Sequence, residues 1–327
     1  MSRDGILIVD KPAGLTSHDA VMRVKEALSA KKVGHTGTLD PFATGVLVMG
    51  INQGTKLIPF LDKTDKSYRG VIVLGMATDT YDATGEVVES CDEEDVEGVS
   101  EEDIKKAVES FVGTIKQRPP AYSAVKVNGV RLYKLARSGV EVDVKEREVE
   151  IFSIELVDYT RPRITIEVTC SPGTYIRSLA VDIGKALGLP AHLESLKRTR
   201  SGPFSIDEST ALKEFAAPGD GMGGNNGKGG LNGWSKVIGL REAVGDMVEV
   251  SIDEGQANQV MNGAPLLFGK GFFEERIYGG EKGVSAVSGA VVKLIYREKL
   301  LALARVTIKN EAKEDNKMNL KPFKVFH

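Results

Sequence analysis

The sequence predicts an α+β protein, with a mixed, largely antiparallel sheet domain followed by a small β-rich one. Three observations predict it. Period-two alternation over Tyr68–Leu74 and Arg163–Cys170 marks strands with one buried face. The Asn128-Gly129 pair inside the run from Val125 to Arg131 has the turn chemistry of a tight hairpin, whose two central residues need positive φ. The helical stripes fall irregularly among the strands, without a repeating βαβ unit, which favours an α+β arrangement over a doubly wound parallel sheet.

Ile6–Val9 reads as a first short strand, and Lys11-Pro12-Ala13-Gly14 must turn after it. A helix follows, with Ser17 as its cap and Val21, Val24 and Leu28 on one face. Gly45–Gly50 is a buried apolar strand, and Tyr68–Leu74 places Tyr68, Gly70, Ile72 and Leu74 on one side. Ser100-Glu101-Glu102-Asp103 has the form of a capping box opening a helix to about Val112, which Gly113 can end. Tyr175–Leu187 carries Ile176, Leu179, Ile183 and Leu187 at helical spacing.

The composition breaks at 218–233, PGDGMGGNNGKGGLNG, a stretch too rich in Gly and Asn to repay the entropy of ordering. The expected organisation is therefore a domain over 1–235 with 218–233 as linker or loop, a small β-rich domain over 236–310 containing strands near Val291–Ile295 and Leu301–Ile308, and a loosely held tail over 311–327. Two glycine motifs carry no nucleotide site. Gly219–Gly224 satisfies GxGxxG, but no strand precedes it and no amphipathic helix follows. Gly50–Lys56 is one residue short of the phosphate-loop spacing.

Composition bounds the function classes. No stretch approaches the roughly 20 apolar residues of a membrane span, and Met1-Ser2-Arg3-Asp4 lacks the apolar core of a signal peptide, so a cytoplasmic protein is expected. Cys91 and Cys170 lie far apart without CxxC spacing, and His18, His35, His192 and His327 show no ligand pattern; neither a disulfide framework nor a metal site is expected. The formal net charge of -3 hides an asymmetry: Asp79–Glu109 holds 13 acidic residues against Lys105 and Lys106, leaving the rest of the chain at a net of about +8. That excess can supply a basic face for RNA phosphates, although scattered solvated lysines would give the same count.

The most informative stretch is Gly34–Gly45, GHTGTLDPFATG. Its glycines, the Pro after Asp40 and its lack of apolar periodicity make it a loop held between packed elements, a place to present a reactive side chain. Taken alone, Asp40 reads first as an Asx-turn or helix-cap residue before Pro41. The stretch GHTGTLDPFATGVL resembles the signature of the tRNA pseudouridine-55 synthase family, also called tRNA pseudouridine synthase B. Further blocks share the resemblance in family order over roughly residues 5–210: Lys11-Pro12 with Thr16-Ser17-His18-Asp19, Lys66-Ser67-Tyr68-Arg69, Arg118–Ala124 (RPPAYSA) and Ser171–Leu179 (SPGTYIRSL).

The resemblance implies an isomerase of pseudouridine synthase fold, with a PUA-like RNA-binding domain at the C-terminus, acting on a uridine in the T arm of tRNA without cofactor. It implies that Asp40 is the catalytic carboxylate, nucleophile or proton abstractor, and that Arg177 pairs with it and keeps it ionised against burial. Tyr68 would stack on the flipped base, Tyr175 and Leu196 would line the same pocket, and His35 would contact RNA near the displaced bases. Lys11, with Lys31, Lys32, Arg118, Lys126, Arg131 and Lys134, is a candidate phosphate contact. A monomer is expected. The Gly/Asn-rich insertion and GGEKGVSAVSG at 279–289 depart from the family pattern and leave the docking mode of the C-terminal domain open. Two other readings stand beside this one: a non-catalytic RNA-binding module on the same scaffold, and a glycosidase-like hydrolase, which would need two paired acids.

Overall fold

The computed structural model describes residues 4–123, 126–127, 129–132, 144–215, 233–268, 289–309 and 317–326. The Gly/Asn-rich stretch up to residue 232, the segment 279–288 and Lys134 lie outside the described residues, as do the side chains of Lys126 and Arg131. The chain divides into two compact units, one of Leu7–Met49 and Leu57–Lys236, the other of Val237–His327 together with Met1–Ile6 and Gly50–Lys56. The division falls at Lys236/Val237, close to the expected 235/236, and the units are discontinuous in sequence because Met1–Ile6 and Gly50–Lys56 group with the C-terminal one.

The large sheet has ten strands. Its main path runs Thr210–Ala211, Gly5–Lys11, Thr44–Ile51, Ala191–Ser201, Lys66–Leu74, Arg163–Cys170, Arg147–Thr160 and Gly113–Gln117, with Phe204–Ser205 and Val33–His35 branching from it. Most pairings are antiparallel, but Ala191–Ser201 runs parallel to Thr44–Ile51 and Gly5–Lys11 parallel to Thr210–Ala211. The mixture matches the sequence expectation. Lys66–Leu74 buries alternate residues Tyr68, Gly70, Ile72 and Leu74, as its pattern demands.

Helix Ser17–Ala27 begins one residue earlier than expected: Thr16, not Ser17, is the N-cap, in a capping box with Asp19, and Ser17 is freed for another use. Helix Glu101–Glu109 starts at the anticipated Ser100–Asp103 box but stops short of Val112. The short strands Lys126–Val127 and Val130–Arg131 pair antiparallel, and Gly129 between them has φ +82°.

The C-terminal unit contains a five-stranded sheet in the order Glu249–Ser251, Val291–Tyr296, Lys299–Lys309, Lys317–Val325, Leu266–Phe268. Its core is apolar, built from side chains such as Val250, Leu294, Ala302, Val306 and Leu320, with helix Glu254–Met261 contributing Ala257 and Val260. The expected loose tail is corrected here. Lys317–Val325 pairs with Lys299–Lys309 on one side and Leu266–Phe268 on the other, and Leu320 and Phe326 are buried. Leu320 and Pro322 are buried with exposed Lys321 between them, a short alternation obscured by the charged residues preceding it. Among the described residues no helix is long and apolar enough to cross a membrane.

Candidate active site

A cleft of about 1010 Å³ opens in the first unit, lined among others by Asp40, Tyr68, Asp82, Tyr175, Arg177 and Leu196. The loop bearing Asp40 runs from Val33–His35 into Thr44–Ile51 and is pinned along its length. The Ser17 hydroxyl donates to the Leu39 carbonyl at 3.0 Å and accepts from the Leu39 amide at 2.9 Å. The Gly14 amide donates to the Pro41 carbonyl at 2.8 Å, and the Ala43 amide to the Asp40 carbonyl at 3.1 Å. Gly45 then lets the chain enter the sheet: its φ is +97°, and a Cβ there would lie 2.2 Å from the Arg198 carbonyl oxygen. The loop is therefore a rigid mount for its carboxylate.

Arg177 lies in the first turn of helix Ile176–Ala186, which begins after Tyr175. Buried Gln117 clips both backbone groups of Tyr175, accepting from its amide at 2.7 Å and donating to its carbonyl at 3.0 Å. The turn so fixed points Arg177 inward, where it is 4 % exposed. Its Nε lies 3.0 Å from Asp40 Oδ2 and its Nη1 3.3 Å from Asp82 Oδ2. Nη1 also donates to the Thr80 carbonyl and Nη2 to the Tyr122 carbonyl, both at 2.9 Å.

Asp82 is the partner that sequence reasoning missed, because it sits inside the acidic run and reads there as surface charge. It is 4 % exposed. Its Oδ1 accepts from the Thr80 hydroxyl at 2.9 Å and from the Thr84 amide and hydroxyl at 3.0 and 2.5 Å. The detectable signal was the spacing Asp79-Thr80-Tyr81-Asp82-Ala83-Thr84-Gly85, whose short polar side chains favour a self-bonded turn. With its oxygens committed to these donors and to Arg177, Asp82 orients the guanidinium.

Burial raises the pKa of Asp40 above the ordinary carboxylate value; Arg177 opposes the rise and the Asp82 charge adds to it. The guanidinium thus opposes the burial in the expected direction without cancelling it. The Asp40 carboxylate remains 38 % exposed to the cleft while Arg177 beneath it is sealed.

Tyr68 and Leu196 reach the cleft from neighbouring strands, Leu196 lying opposite Gly70 and Arg198 opposite Tyr68. His35 lines the same cleft; its Nδ1 is buried without a partner, and burial lowers its pKa so that the ring is neutral at pH 7. Lys11 is placed elsewhere. It is fully buried, and its ammonium donates to the carbonyls of Pro12, Leu15 and Pro41 at 2.8, 2.7 and 3.4 Å, so it braces the Asp40 loop and offers nothing to a phosphate. Lys31, Lys32 and Arg118 are exposed. Among the described residues no three His, Cys, Asp or Glu side chains cluster as metal ligands.

The mixed sheet carries the Asp40–Arg177 ion pair in its cleft, and its likeness to solved structures makes the fold that of a pseudouridine synthase. The solved structure of an H/ACA ribonucleoprotein bound to a substrate RNA containing 2'-deoxyuridine is similar at a TM-score of 0.68 and 25% identity, covering 100% of this chain and 86% of that one. The chain belongs to the TruB family of pseudouridylate synthases: the family's N-terminal domain model matches residues 25–176, and the tRNA pseudouridylate synthase B C-terminal domain model matches 177–218. Among curated relatives, the tRNA pseudouridine synthase B of Geobacter sulfurreducens is 50% identical over 220 residues, 66% of this chain and 71% of that one. That of Symbiobacterium thermophilum is 43% identical over 263 residues, 80% and 82% of the two chains.

Proposed function

We propose that this protein converts a uridine of tRNA to pseudouridine, at position 55 in the T arm, with Asp40 as the catalytic carboxylate. The observation that carries the reading is the Asp40–Arg177 ion pair at 3.0 Å, set in a cleft whose wall is Tyr68. The reaction cleaves the N-glycosidic bond, turns the uracil and rejoins it through carbon, with no redox change. A carboxylate meeting the ribose can serve as nucleophile at C1' or remove a sugar proton. Either route needs it ionised, and Arg177 is the group that favours that form.

A base inside the tRNA fold must be extruded to reach Asp40. The cleft offers the flipped base the Tyr68 ring, where stacking contributes about 1–3 kcal/mol per base, with Leu196 as an apolar wall and Tyr175 beside it. Neutral His35 can stack or hydrogen-bond to the bases left behind. Asp82, Thr80 and Tyr122 hold the guanidinium from below. The hydrolase alternative gains nothing from the second carboxylate, because both acids share one arginine.

The test uses an unmodified tRNA transcript labelled with tritium at C5 of uridine. Isomerisation releases the label, whereas binding alone does not. Wild type is expected to release one equivalent per tRNA and Asp40→Asn none; a transcript lacking the T-arm uridine should release none with either. Retention of the label by wild-type enzyme that binds the transcript would leave only the non-catalytic reading.

A further inference from the structure

Helix Ile176–Ala186, which carries Arg177, starts without a cap of its own. Tyr175 before it is extended, with φ -100° and ψ 108°, and its side chain makes no capping hydrogen bond, so other contacts must fix the angle at which the helix enters. Gln117 supplies them. It is 2 % exposed, ends strand Gly113–Gln117 opposite Arg147, and takes the Tyr175 amide at 2.7 Å and the Tyr175 carbonyl at 3.0 Å. A primary amide carries a donor and an acceptor side by side, so this one side chain makes the pair of bonds that a neighbouring strand would make to an extended residue. In the first turn the buried Ser178 hydroxyl donates to the Arg118 carbonyl at 2.7 Å. The chain then passes through buried Pro119 and Pro120, whose rings fix φ, to Tyr122, whose carbonyl accepts from Arg177 Nη2 at 2.9 Å. One short segment, Gln117–Tyr122, thus holds Arg177 twice, at the backbone it springs from and at its guanidinium.

We infer that Gln117 is a positioning residue of the isomerisation: it sets the start of the helix so that Arg177 meets Asp40, and the Ser178 bond to Arg118 closes the same seam. The inference rests on the function proposed above. Gln117 lies outside the cleft lining, so it acts through Arg177 and not by touching substrate. The task is specific to this side chain. An asparagine would fall one carbon short of the two backbone groups, about 1.5 Å, and an ionised glutamate would reach them without a donor for the carbonyl. Arg177 Nε stands 3.0 Å from Asp40 Oδ2 and is the cation that favours the ionised carboxylate. Slack at the helix start therefore weakens that support and misaligns the pair together, and a displacement of about 1 Å can cost on the order of 100-fold in rate.

The experiment measures tritium release from the labelled transcript, resolving kcat from KM across pH 5–8, for wild type, Gln117→Met and Ser178→Ala, with each variant's fold checked by its melting curve. Gln117→Met keeps the length of the side chain and loses both bonds; kcat is expected to fall by about 10- to 100-fold with KM within about threefold. Because a loosened Arg177 supports the Asp40 charge less, the acid limb should move to higher pH, and the deficit in kcat/KM should be larger at pH 5 than at pH 8. Ser178→Ala removes one bond of the seam and should show the same pH signature with a fall of about 2- to 10-fold. A lowered melting temperature at wild-type kcat would make Gln117 merely structural, and a raised KM at unchanged kcat would place its effect on binding; either overturns the inference. So does a deficit equal at every pH, which would separate Gln117 from the ion pair. Wild-type kinetics in Ser178→Ala overturn it too, without needing Gln117→Met to fold. If wild type itself released no label, the proposed function would fail first; an active wild type beside unchanged variants sinks the inference alone.

Discussion

In the cleft-bearing unit Lys11, Lys66, Asp82, Arg177 and Arg198 are all buried, whereas the C-terminal sheet closes over Val250, Leu294, Ala302, Val306 and Leu320. In the second unit Arg241 pairs with Glu249 and Glu298, and buried Lys293 with Glu249. Burying an ion costs several kcal/mol before its partners repay it, while burying an apolar side chain stabilises directly, by about 1.5–3 kcal/mol for one the size of leucine. The contrast teaches that the first unit gives up stability to hold several charged groups in place around a reaction, whereas among the described residues of the second only Lys293 is buried with its charge.

The comparison can be broken at several points. The largest effect is expected of Arg177→Met, which strands Asp82 and Asp40 without their cation: turnover should vanish and stability should drop by about 3–5 kcal/mol, read from urea unfolding. Leu294→Ala in the C-terminal core should cost a similar or smaller amount, about 2–5 kcal/mol, yet leave the chemistry of the folded enzyme intact in single-turnover release. A lost chemical step in that variant would end the division of labour drawn here.

Smaller effects sharpen the contrast. The folded-state pKa of Asp40 is raised, so its charged form is disfavoured by folding; stability is lost as pH climbs from the unfolded carboxylate value, 3.8, through the native one, and the deficit persists above it. Asp40→Asn, inactive, is therefore expected to melt at or slightly above the wild-type temperature at pH 7, the reverse of Arg177→Met. The same shift places the acid limb of wild-type kcat/KM above pH 3.8, a limb seen by following release across pH 4–8. Least of all should come from Arg163→Ala on the sheet surface, where the bidentate contact to Glu194 is solvated and its loss should leave the melting temperature unchanged.

Much of the first unit was legible from sequence because its strands alternate cleanly and its loops carry turn residues at fixed spacing; Tyr68–Leu74 and Ser100–Asp103 are examples. The positions of Asp40, Arg177, Tyr68, Tyr175, Leu196 and His35 around one cleft followed from motif blocks rather than from periodicity, which by itself reads Arg177 as helix surface. What failed was whatever depends on distant partners. Lys11 looked like a phosphate ligand because nothing local says that Pro41, 30 residues on, takes its proton donor. Asp82 vanished into its acidic neighbourhood, and Arg198 lay in a basic run, Lys197–Arg200, that suggests a solvated stripe. The last strand was hidden by the charged segment before it.

The clamped loop has a consequence for the choice of acid. Its chain is fastened at Gly37 by Arg198, at Leu39 by Ser17 and at Pro41 by Gly14 and Lys11, so it has no slack with which to retreat. A glutamate at position 40 would carry its carboxyl one carbon further, about 1.5 Å, into a guanidinium that is itself held from three sides. Chemically equivalent acids are thereby made unequal: the mount admits the short side chain and turns the longer homologue into an obstruction.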